Sequence, residues 1–128
     1  MSFPILFTYA FRIFFLLGGL GAVLLIPVWV LMLGGHLDMP GYTGSASWHG
    51  HELVFGYAPA VITGFLLTAA YNWTGTPNVK GAPLVALALI WLAGRVVMFA
   101  ADGLPGIVVA VVDLAFLPAA GLVVLPAL

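Results

Sequence analysis

Cysteine is absent from the 128 residues, and charge nearly so: three Lys or Arg and four Asp or Glu make up 5% of the chain, for a net charge of −1. The first absence excludes a disulfide-stapled secreted domain, and the second excludes a nucleic-acid binder or a disordered polar segment. A soluble domain of this size carries roughly a quarter of its residues charged. Nor is there a phosphate-binding glycine loop, a nucleophile elbow or a metalloprotease motif. What the chain does have is apolar residues, 64% of the total, with a mean hydropathy of +1.24. It belongs in a bilayer.

About 20 apolar residues at ~1.5 Å each span the hydrocarbon core, and four runs qualify. Ile13 to Leu33 and Leu53 to Tyr71 are uncharged, while Ala82 to Ala101 and Gly106 to Leu125 each contain one charge. The expectation is an all-α, polytopic bundle of four membrane helices, near 11–33, 50–71, 82–101 and 106–126, forming one domain over 1–128. Continuous rather than alternating runs exclude a β-barrel. The first run is too long for a cleaved signal segment and is read as a retained helix. Breakers fall between the runs: Gly34-Gly35, Pro40-Gly41, Thr76-Pro77, Gly81 and Gly103-Leu104-Pro105. Arg12 and Lys80 fall on one side of a four-span chain, which predicts a cytoplasmic N-terminus and an outward loop carrying His36 and Asp38.

The densest polar cluster is Trp48-His49-Gly50-His51-Glu52, at the entry to the second helix. Imidazole is a ligand for haem iron, copper or zinc, and a carboxylate is a hard ligand or a proton acceptor. On a helix, residues two apart point ~200° away from each other, so His49 and His51 meet at one ion only if His49 precedes the helix; His49 and Glu52, three apart, share a face. The competing structural reading makes Trp48 an interfacial anchor, His49 a cap neighbour and Glu52 a helix-dipole partner. Gly56, Ala60 and Gly64 continue from Glu52 as a stripe of small residues that admits a neighbouring helix or a flat cofactor. Pro59 is expected to kink the helix.

Arg95 and Asp113 are the intramembrane charges, each costing on the order of 2.5–3.5 kcal/mol at mid-membrane. Counted from the turn between the third and fourth helices, they lie at similar depth, which predicts an Arg95–Asp113 ion pair. It serves either as a structural lock or as a counter-charge for a haem propionate or a proton path. Met32, Met39 and Met98 are candidate soft copper ligands, but Met32 and Met98 lie within apolar runs and are read as packing residues.

His51-Glu52-Leu53-Val54-Phe55-Gly56-Tyr57, Gly64-Phe65-Leu66-Leu67-Thr68-Ala69 and Asn72-Trp73-Thr74-Gly75 together resemble the signature of the NnrS family. Phe11-Arg12, Trp91 to Arg95 and Val112 to Pro118 agree with it, so the resemblance covers nearly the whole chain. It implies a bacterial inner-membrane protein containing haem and copper and associated with the response to nitric oxide and with denitrification. It also implies that His49 and His51, with Glu52, are the cofactor ligands, and that Arg95 and Asp113 stand at recurrent family positions. Leu53 replaces a common methionine and Tyr71 a common proline. Family members are several-fold longer, so the chain is similar to their N-terminal part, and other membrane subunits or self-association are expected partners besides the lipid. The competing function is a metal-free transporter subunit or assembly module, in which Glu52, Arg95 and Asp113 matter and the histidines are dispensable.

Overall fold

The computed structural model describes residues 4–38 and 44–128; Met39 and the Pro40-Gly41 turn lie outside them. Among the described residues, four helices are long and apolar enough to cross a membrane: α1 Ala10–Leu33, α2 Ser45–Thr74, α3 Ala82–Phe99 and α4 Gly106–Ala127. The chain is a multi-pass membrane protein. Among the described residues there is no strand.

Two boundaries differ from the sequence expectation. The second helix starts at Ser45 rather than near residue 50, because extended Gly44 ends the loop and its carbonyl accepts the Trp48 amide at 2.8 Å. His49 and His51 are therefore both inside the helix. The third helix stops at Phe99, and Ala101–Gly103 forms a 3₁₀ turn into α4. At its far end α2 closes on Gly75, whose φ of 71° is the left-handed conformation that glycine tolerates.

Inside α2, the expected proline kink takes the form of a widened turn. Pro59 has no amide hydrogen for the Phe55 carbonyl, and Glu52–Tyr57, just ahead of it, winds as a π-helix. Through that segment Glu52, Gly56, Ala60, Thr63, Gly64, Leu67 and Ala70 all remain on the buried side. The indole nitrogen of Trp91 on α3 donates to the Gly56 carbonyl at 2.8 Å, tying α3 to the π segment.

Small residues set the helix spacing. A Cβ at Gly64 would stand 2.9 Å from Cβ of Phe14, so only glycine lets α1 pack so close to α2. The Thr68 hydroxyl donates to the Gly64 carbonyl and accepts the Phe11 amide at 3.2 Å, across the same contact. Asn78 donates to the Thr8 carbonyl, and the Gly81 amide to that of Phe7, which anchors the α2–α3 connection against the start of the chain.

The apolar core is in two parts. One contains Phe14, Leu17, Leu67, Leu84, Trp91 and Phe116; the other contains Met32, Trp48, Val97, Met98 and Val109. Met32 and Met98 thus pack in the core. Between the two, along α2, α3 and α4 alike, lies a layer of charge.

Candidate functional site

That layer is assembled from three helices. α2 contributes His51 and Glu52, α3 Arg95 and α4 Asp113; Glu52 is 3% exposed and Asp113 5%. Arg95 Nη2 donates to Asp113 Oδ1 at 2.5 Å, while Nη1 stands 3.3 Å from Glu52 Oε2. His51 lies between the same two carboxylates, with Nδ1 3.3 Å from Glu52 Oε1 and Nε2 2.9 Å from Asp113 Oδ2. The four side chains close a ring in which each carboxylate meets both cations or potential cations. Such a ring is electroneutral when it holds one proton on the imidazole or on a carboxyl. Isolated, each of these charges would be strongly disfavoured away from water; paired on both sides, they are held.

Gly56 is what allows Arg95 to reach across α2. A Cβ there would overlap the guanidinium at Nη1. The small-residue stripe thus serves two different approaches: a side chain crossing at Gly56 and a helix backbone at Gly64. Arg95 also lies 5.8 Å from the Trp91 ring, whose face favours a cation. Its Nε and Nη1 are buried without a hydrogen-bond partner among the described residues.

The two histidines take different partners on different helices. The His51 ring stacks on Phe55 at 4.8 Å and faces α4. The His49 ring stacks on Trp29 of α1, with centroids 3.9 Å apart and planes 11° from parallel, and makes no hydrogen bond among the described residues. It opens on a cavity of about 280 Å³ between α1 and α2, lined also by Gly21, Ala22, Leu25, Glu52 and Tyr57. Glu52 therefore meets His51 and shares the cavity lining with His49, but the two histidines are not brought together. Among the described residues no three His, Asp or Glu side chains are grouped to hold a metal ion.

Trp48 is 1% exposed, packed against Phe99, and its indole nitrogen has no partner among the described residues. It is a core residue rather than an interfacial anchor. Glu52 lies a full two turns inside α2, so its partner is Arg95 and not the dipole of the first turn. The sequence brings the histidine–glutamate cluster, Arg95 and Asp113 into one half of the bundle by depth, but it does not foretell the direct contacts of His51 and Glu52 with the Arg95–Asp113 pair, nor the Trp29–His49 stack. The available signal for the first was an unpaired glutamate at the head of a stripe of small residues; the second has none, because Trp29 lies in an uninterrupted apolar run.

In comparison with known proteins, the family described as NnrS protein matches residues 5–128. No curated protein and no solved structure gives a significant match.

Proposed function

The chain belongs to the NnrS family, and from that premise we propose that it is a membrane protein that binds haem, copper or both and acts in the response to nitric oxide. The observation that carries the reading is the His49 imidazole, with no hydrogen-bond partner among the described residues, at the wall of an apolar cavity. Membership supports the bacterial inner membrane as its location, and Arg12 and Lys80 support a cytoplasmic N-terminus.

The donor set suits the two groups unequally. A haem would be held by an imidazole nitrogen facing an apolar space, and in this chain that residue would be His49, beside Gly21 and Ala22. Copper prefers two or more convergent donors; His49 and Glu52 share the cavity, and His51 would join them only by giving up its contact with Asp113. A bound haem or copper centre would supply a redox-active metal able to coordinate nitric oxide. Around it this chain excludes water with Leu25 and Tyr57, presents the imidazole, and holds the Glu52 carboxylate in place through Arg95. Arg95 itself does not line the cavity, and its contribution runs through Glu52.

The direct test is an absorption spectrum with elemental analysis of the chain purified in detergent from haem-replete, copper-supplemented cells. A Soret band or copper near one per chain is expected. A folded, monodisperse protein carrying neither would overturn the reading in favour of a metal-free membrane module.

A further inference from the structure

Charge is divided unevenly between the two ends of the bundle. Asp38 and Asp102 follow α1 and α3 at one end, and Glu52 and Asp113 belong to the ring; the other end carries Arg12 and Lys80 with no Asp or Glu. Two cations there have no side-chain carboxylate to meet them. We propose that this end seats the phosphate of an anionic phospholipid, gripped by the free edge of the Arg12 guanidinium, with Lys80 as the second charge. The proposal is independent of whether the chain carries a metal.

The fold brings both cations to one surface. The connection between α2 and α3, which bears Lys80, is pinned to the turn before α1: Asn78 donates to the Thr8 carbonyl and the Gly81 amide to the Phe7 carbonyl, both at 2.8 Å. Arg12 reaches the same turn from the start of α1, its Nη1 donating to the Ile5 carbonyl at 3.2 Å and to the Thr8 hydroxyl oxygen at 3.0 Å. Its side chain therefore runs back past the beginning of the helix, out of the hydrocarbon, with its charge over the rings of Tyr9 and Phe11.

The chain uses one arm of that guanidinium. Nε and Nη2 have no partner among the described residues. These two N–H groups lie side by side and form the edge that takes a phosphate through two parallel hydrogen bonds. Lys80 is exposed and likewise without a partner among the described residues. Its compact ammonium adds a point charge rather than a fork.

The surroundings select a lipid as the source of the phosphate. Tyr9, Tyr71 and Trp73, at the same end, are 42%, 51% and 63% exposed, and aromatic rings so placed sit at the level of the headgroups. The phosphate abundant at that depth belongs to the bilayer itself.

The test uses the whole chain in nanodiscs of phosphatidylcholine with a graded fraction of phosphatidylglycerol. Native mass spectrometry of the released protein counts the lipids it retains, and thermal unfolding follows its stability. A preference for phosphatidylglycerol of about fivefold per cation is expected. Lys80→Gln, which removes a side chain without partners, should fold normally and lose one such factor. Arg12→Gln should lose the other; Arg12→Lys, which keeps the charge but not the edge, should lose part of it. Asp102→Asn at the opposite end should leave the preference unchanged. Equal retention of the two lipids by wild type, or a preference that survives Lys80→Gln, overturns the proposal even if the Arg12 variants fail to fold. An Arg12→Lys variant that matches wild type overturns the role of the guanidinium edge. A preference raised by Asp102→Asn would show a response to net charge rather than a seat. Inorganic phosphate that raises the unfolding temperature in pure phosphatidylcholine would mark a site for a soluble anion and overturn the lipid assignment.

Discussion

Arg95 shows how much depends on single side chains in this bundle. Among the described residues it is the one cation facing Glu52 and Asp113 besides the His51 ring, so Arg95→Met leaves two buried carboxylates without their guanidinium. A loss of about 3–5 kcal/mol is expected, that being the cost of breaking a buried pair from one side. Denaturant unfolding in detergent measures it, and adding Glu52→Gln with Asp113→Asn should recover part of the loss. Gly56→Ala tests the same site by volume. Its Cβ falls on a guanidinium already pinned by two carboxylates, and overpacking of this kind costs about 1–3 kcal/mol. Gly50→Ala is the control, because nothing among the described residues lies within 4 Å of a Cβ there; it should be neutral or stabilising, since alanine is the better helix former. Equal effects from the two alanines would mean that Gly56 is not the doorway for Arg95.

At the scale of the elements, the four apolar runs were legible because hydrophobic length is a direct physical requirement of the bilayer, and the structure places a helix on each. Their ends were less so. Ser45 to Ser47 read as part of a polar loop, and only Gly44 in extended conformation shows where α2 begins. That shift carries the main consequence for the site: once His49 is helical, a residue spacing of two sends it and His51 to different neighbours. The π segment was legible only as a disturbance at Pro59, since which carbonyl loses its partner follows from the proline but the winding that absorbs it depends on Trp91 and Arg95 packing from α3. The α1–α2 contact gives a prediction of its own. Gly64→Ala puts a methyl 2.9 Å from Phe14 Cβ, next to the backbone rather than at the tip of a movable side chain. α1 must retreat, and a loss of about 1–3 kcal/mol is expected, seen as a lower unfolding temperature; an unchanged temperature would show that α1 can slide at no cost.

For the whole molecule, the proposed orientation rests on Arg12 in the first turn of α1 and Lys80 between α2 and α3, and the absence of cysteine makes it directly measurable. Lys80→Cys should react with a membrane-impermeant maleimide only after the cells are opened, and Asp102→Cys should react in intact spheroplasts. The reverse pattern would place the His49 cavity toward the cytoplasm. The charged layer between the two apolar cores also bears on how the chain comes to be in the membrane at all. Each of α2, α3 and α4 carries one or more members of the ring, and each intramembrane charge alone adds on the order of 2.5–3.5 kcal/mol to insertion. Arg95 and Asp113 sit on consecutive helices joined by a turn of a few residues, so the two can leave the insertion machinery as a hairpin already neutralised. Glu52, made earlier on α2 and accompanied only by His51, has to wait for that hairpin. Biogenesis therefore has an order written into it: α1 and α2 first, packed through Gly64 and Phe14, and then a ring that closes when the guanidinium arrives.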